Sequence, residues 1–194
     1  MLSDKHGGPK NLSTLTRSNK RVYELIRREY ARLGGFEQYH GGALGALREA
    51  DEKLYHLLKA EYERLRSTLQ LIAAENCCSR AVLAALGSVV QNKTTEGFVG
   101  QRFHGGCEVV DQIENLAAER ARRAFGARYA NVQPHSGTAA NQIVLTALLE
   151  PNQTILSLGL DQGGHLSHGA RVSFSGKFFN VEHYYVDRKS FLLD

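Results

Sequence analysis

Residues 129–160 read YANVQPHSGTAANQIVLTALLEPNQTILSLGL. YANVQ (129–133) is a short apolar run with strand content, and HSGTAAN (135–141) is a turn that opens the helix TAANQIVLTALL (138–149). Pro151 stops that helix. TILSLGL (154–160) then reads as a buried strand, and FNVEHYYV (179–186) as a further one. Strand, helix and strand at this spacing predict a parallel sheet in an α/β layer.

Outward from this stretch the texture is helical. Residues 109–125 predict an amphipathic helix on Val110, Ile113, Leu116, Ala117 and Phe125, ended by Gly126. Residues 79–90 predict a short helix capped by Ser79. Across 50–69, Leu54, Leu57, Leu58, Tyr62, Leu65 and Leu69 form one apolar stripe, expected to lie on a core or a subunit partner. A further helix is expected over 19–33, where Val22, Ile26, Tyr30 and Leu33 share a face and Gly34-Gly35 ends it. Residues 1–18 are polar and expected to fray. GGFEQYHGGALG (34–45) reads as a glycine-rich linker without phosphate-loop spacing. There is no internal repeat or low-complexity tract.

Composition sets the limits. The chain has 194 residues, 42% hydrophobic and 23% charged, enough for a core and unlike a disordered, collagenous or coiled-coil chain. No stretch approaches 18 consecutive apolar residues, so no membrane span is expected. Cys77, Cys78 and Cys107 are too few, and odd in number, for a disulfide framework. With no apolar leader core, and with Asp4 mildly against a transit peptide, a reducing cytoplasm is the expected compartment. Residues 1–50 hold nine Lys and Arg against five Asp and Glu, while the rest holds fifteen of each and is neutral. The body is therefore not a basic nucleic-acid surface, and the N-terminal balance reads as a solvated helix face.

Three loops can carry chemistry. In HSGTAAN, Ser136, Gly137 and Thr138 place backbone N–H groups and two hydroxyls at a helix start, where a phosphate fits; plain capping by Ser136 or Thr138 is the simpler alternative. DQGGHLSHGA (161–170) follows a strand, the usual position for ligands in parallel sheets. His165 and His168 there lack a Cys, Asp or Glu at ligand spacing, so no metal is expected. His165 could stack on a flat ring or be an ordinary loop histidine. The third loop, QNKTTEGFVGQRFHGGCE (91–108), is long and polar, and loops of that length tend to be functional. It offers Glu96 as a general acid/base or as a solvated carboxylate, followed by Arg102 and His104.

Taken together, LIAAEN, SVVQNKTTEGFVGQRFHGGCEVVD, YANVQPHSGTAAN, ALLEPNQTILSLGLDQGGHLSHG and VSFSGKFFNV resemble the N-terminal half of serine hydroxymethyltransferase over about residues 50–194. The resemblance implies the fold type I, aspartate-aminotransferase-like large domain of pyridoxal-phosphate enzymes, incomplete over 50–194. Residues 1–49 would then be a partly helical N-terminal extension. The implied reaction moves a one-carbon unit between serine and tetrahydrofolate, with pyridoxal 5'-phosphate as cofactor. It assigns Ser136, Gly137 and Thr138 to the cofactor phosphate and His165 to stacking on the pyridine ring. Glu96 becomes the acid/base, and Leu160, Gly164 and Leu166 line the folate site. It also implies a homodimer or tetramer in the full-length protein, because the loop with the Glu96 equivalent reaches a neighbouring subunit's site.

Four positions depart from the family pattern. Ala74 stands where a substrate-contacting Ser is usual, and Thr94, Phe103 and His104 stand where Tyr is usual. The pocket is altered at Ala74, Thr94 and His104 while the phosphate and stacking residues are kept. This admits α-methylserine as substrate, or a threonine-transaldolase-like use of other aldehydes. None of the lysines stands in the family's Schiff-base context, so the 194-residue chain by itself is expected to be inactive. A fragment and a truncated, non-catalytic paralogue acting as a binding or dimer partner are the two expectations this leaves.

Overall fold

The structure is a computed structural model that describes residues 34–72 and 74–193, with Lys20, Arg21, Glu24, Leu25 and Arg28. Those five carry helical backbone; the rest of the helix expected over 19–33, and the segment 1–18, lie outside the described residues. The chain forms two compact units, Met1–Thr94 and Thr95–Asp194.

In the first unit, α1 (Phe36–His40), α2 (Ala43–Ala50) and α3 (Glu52–Ser67) pack around Phe36, Leu44, Tyr55 and Tyr62. The stretch 34–45 is therefore not a linker. Gly35, Gly41 and Gly42 sit at helix boundaries and Gly45 lies within a helix, where Phe36 and Leu44 drive packing that outweighs the glycine content. Phe36 lies 5.6 Å, centroid to centroid, from both Tyr55 and Tyr62. The buried hydroxyls find partners: Tyr62 donates to Gly34 O (2.5 Å) and Tyr55 to Glu37. Asp51 ends α2 and caps α3, accepting from Leu54 N at 2.9 Å. Of the apolar stripe expected to lie on a core or a subunit partner, Tyr62 enters this core and Leu65 and Leu69 are half-buried. Leu54, Leu57 and Leu58 are exposed, and Tyr55 with Tyr62, seven residues apart, form the buried seam. Two tyrosine rings filling the space against Phe36 decide which face goes in. The helix expected over 79–90 is shorter: α4 (Arg80–Leu86) is capped by Ser79, which accepts from Val82 N, and ends at Gly87 before a 3-10 turn over Val89–Asn92.

The second unit opens with a hairpin of β1 (Gly97–Phe98) and β2 (Gln101–Arg102). Helix α5 (Glu108–Phe125) follows and ends where Gly126 adopts the left-handed conformation, φ 61°. Next are α6 (Gly137–Leu148), β3 (Thr154–Leu158), α7 (Phe174–Phe178) and β4 (Asn180–Tyr184). Strands β3 and β4 pair in parallel from Thr154 opposite Asn180 to Leu158 opposite Tyr184, as the sequence predicts. The crossover between them carries two 3-10 turns, Leu160–Gln162 and Leu166–His168, and then α7. Residues 129–133 do not form a strand. They find no ladder partner among the described residues, and the Gln133 N–H turns to Asn131 Oδ1 (2.9 Å). Nor is β3 buried on both sides. Ser157 is 7% exposed and Leu156 69%, the alternation of a two-stranded layer covered on one face. Among the described residues no helix is long and apolar enough to cross a membrane.

Candidate active site

The loop after Thr94 is held by one buried arginine. The Arg102 side chain is 5% exposed and uses every edge of its guanidinium. Its Nε donates to Asp111 Oδ1 (2.8 Å) and Nη2 to Glu114 Oε2 (2.5 Å), both on α5. Its Nη1 donates to the carbonyls of Thr95 (2.8 Å) and Gly97 (2.7 Å). The Gly100 N–H reaches Asp111 Oδ2 (3.0 Å), and Gln133 Nε2 bridges Gly97 O and Glu114 Oε1. A loop of glycines is thus pinned to a helix by charge-assisted bonds. Glu114, then Asp111, holds the guanidinium above its ordinary range. Arg102, then the Gly100 N–H, holds the Asp111 carboxyl below its own.

These bonds give a prediction. Arg102→Met should speed hydrogen exchange at the Gly100 and Phe103 amides by about tenfold or more. The Asp111 pKa is lowered on folding, so its share of this anchoring is complete above its unfolded value of about 4 and fades as pH falls below it. In Arg102→Met that acid-sensitive part should largely disappear.

On this frame the structure brings Glu96 and His104 together: His104 Nε2 lies 3.1 Å from Glu96 Oε2. The hairpin sets the spacing, since the Phe103 N–H donates to Glu96 O at 3.0 Å and carries His104 back across the loop. Cys107 Sγ donates to His104 O, fixing the backbone behind the imidazole. The Glu96 side chain is 72% exposed, so the pair faces solvent and is open to a substrate.

The second cluster forms around the start of α6. Ser136 caps the helix, its Oγ accepting from Ala139 N at 3.1 Å. The capping alternative therefore holds for Ser136, and it leaves the N–H groups of Gly137 and Thr138 without an acceptor among the described residues. A Cβ built on Gly137 meets nothing within 4 Å, so the backbone there is open to an approaching group. Two open amides and the Thr138 hydroxyl at the positive end of a 12-residue helix fit a phosphate.

Beside it, the turn 166–168 packs on α6. Asn141 Nδ2 donates to Ser167 Oγ (2.7 Å), and Ser167 Oγ lies 2.7 Å from His165 Nδ1. Leu160, His165 and Leu166 line a cavity of about 290 Å3 together with Leu158, Arg171 and His183. Gly164 is fixed by the turn: a Cβ there would lie 2.1 Å from Leu158 O. Ala74 and Thr94 are exposed and belong to the first unit. Arg102 and Asn141 are the residues whose roles the sequence does not disclose. Arg102 follows Glu96 in the polar loop without a spacing that marks its partners, and Asn141 reads as one more polar residue in the first turns of a helix.

The fold and these clusters define a mixed α/β chain in which the loop at the carboxyl end of a parallel strand meets an open helix N-terminus. The chain belongs to the serine hydroxymethyltransferase family, whose family model matches residues 47–194. It is 52% identical over 129 residues to the serine hydroxymethyltransferase of Orientia tsutsugamushi, covering 66% of this chain and 30% of that protein. It is 58% identical over 127 residues to that of Coprothermobacter proteolyticus, covering 66% and 31%. It is 51% identical over 148 residues to that of Bifidobacterium adolescentis, covering 76% and 34%. The chain thus spans about a third of the length of these curated relatives.

Proposed function

We propose that this chain supplies part of the active site of a pyridoxal-phosphate-dependent hydroxymethyltransferase that moves a one-carbon unit between serine and tetrahydrofolate. It does so as the beginning of a fold type I large domain. Bound there, pyridoxal phosphate supplies an electron sink for charge developing at the substrate Cα. Gly137, Thr138 and Ser136 would hold its phosphate, and His165 would stack on its ring. Glu96 Oε2 holds and moves the proton at the substrate hydroxymethyl oxygen, and His104 Nε2 donates to the carboxylate when it is ionised. Leu160 and Leu166 form the apolar walls on which the folate lies, and Gly164 keeps that loop tight. A dimer, in which the Glu96 loop serves the neighbouring subunit's site, and a cytoplasmic location go with this reading.

The observation that supports it most is the pairing of open amides on α6 with a link from the same helix to His165. Gly137→Ala tests it. The site offers room for the methyl, so stability should be unchanged or slightly raised. The phosphate, however, needs close approach to that backbone, so pyridoxal phosphate should bind about tenfold or more weakly in the holoenzyme. Unchanged affinity, measured by titration against pyridoxal as the control lacking phosphate, would leave Ser136 a plain cap. Ala74, Thr94 and His104 favour a second reading, in which the substrate is α-methylserine or another aldol donor.

A further inference from the structure

The cluster that links α6 to His165 has a direction. The Ser167 N–H donates to His165 Nδ1 at 3.1 Å, and a backbone amide can only donate. The Ser167 hydroxyl also lies against Nδ1, at 2.7 Å, and could by itself either donate or accept. Asn141 biases that choice. Its Nδ2 donates to Ser167 Oγ at 2.7 Å, taking one of the hydroxyl's two lone pairs and offering its hydrogen no acceptor, so the hydrogen is left for Nδ1, where the Ser167 N–H already requires a lone pair. Ser167 is 5% exposed, so water does not compete freely for this hydroxyl. Both donors converge on Nδ1, and the neutral ring then carries its hydrogen on Nε2.

We propose that Asn141, acting through Ser167, is a positioning residue that holds the His165 imidazole in its Nε2–H tautomer and in one plane. The use of that plane rests on the reading of His165 as the residue that lies on the cofactor ring. The same helix that offers Gly137 and Thr138 to a phosphate thereby sets the face presented to the ring joined to that phosphate. Packing alone does not require this: an amide and a carboxylate have nearly the same shape, and only the amide can donate.

Asn141→Asp separates the two. An ionised carboxylate takes the hydroxyl hydrogen, the Ser167 oxygen turns its lone pair to the ring, and the Nδ1–H tautomer gains. Long-range proton–nitrogen NMR correlations on the cofactor-free chain, with the ring neutral, should show one Nε2–H form in the parent. In Asn141→Asp the Nδ1–H form should rise by about five- to tenfold, the scale of one hydrogen bond. Asn141→Leu, which only deletes the donor, should give a smaller rise and serves if the aspartate variant does not fold. The parent's tautomer ratio in every folded variant would overturn the proposal. In the holoenzyme, the visible circular dichroism of bound pyridoxal phosphate should weaken in Asn141→Asp as in His165→Ala. If His165→Ala leaves that band unchanged, the cofactor reading of His165 fails, while the tautomer result still decides the role of Asn141.

Discussion

Glu96→Gln in the holoenzyme should lower the folate-dependent rate by ~10²–10⁴-fold, the usual contribution of a general acid/base group. Pyridoxal phosphate affinity should stay within about twofold. Glutamine keeps the shape of the side chain and can still accept from His104 Nε2, so the hairpin geometry survives. What it loses is the ability to carry a proton at Oε2. The competing reading, a solvated loop carboxylate, draws on the 72% exposure of Glu96 and expects turnover within about twofold of the parent. A further distinction comes from His104→Phe. If the histidine works with Glu96, this change lowers kcat with little effect on cofactor binding; a role confined to holding the substrate carboxylate raises KM instead.

Thr94→Tyr should restrict the substrate at Cα. The family resemblance implies an aromatic ring at this position, and a threonine side chain is smaller than that ring by several heavy atoms. A methyl on Cα needs one. Discrimination by a methylene-sized group is worth about 1–3 kcal/mol, so the preference between α-methyl-L-serine and L-serine should move toward L-serine by ~10–200-fold. Ala74 points the same way, since the resemblance implies a larger polar side chain there. The measurement is the ratio of kcat/KM for the two substrates in the parent and in Thr94→Tyr. A parent that uses only L-serine, with a ratio the substitution does not move, contradicts the widened pocket and leaves the serine–glycine reaction.

Much of the second unit is legible from local chemistry. Gly126 after an amphipathic run, Ser136 before TAAN and the two β-rich runs around 154 and 180 each carry a signal within a few residues, and the structure places α5, α6, β3 and β4 accordingly. The misreadings share one cause: they concern what an element packs against. YANVQ has strand content, but a strand exists only with a neighbour to pair with, and 129–133 has none among the described residues. The periodicity of 50–69 identifies a helix and its Tyr62, but it does not disclose that Tyr55 joins Tyr62 against Phe36, because the partner surface is itself aromatic. At the site, the residue types were legible and the connections were not. Nothing in the spacing of Arg102, Asp111, Glu114 and Gln133 announces a single network, and Asn141 and His165 are joined only through the hydroxyl of Ser167.

The proposed role of these residues is one-carbon transfer on pyridoxal phosphate. The most direct measurement follows glycine released from L-serine by the holoenzyme, with and without tetrahydrofolate, in the parent and in Glu96→Gln. Glycine should form in step with a folate-bound one-carbon unit, depend on added pyridoxal phosphate, and fall by about two or more orders of magnitude in Glu96→Gln. A parent that binds no pyridoxal phosphate and releases no glycine from L-serine or alanine from α-methyl-L-serine would contradict it.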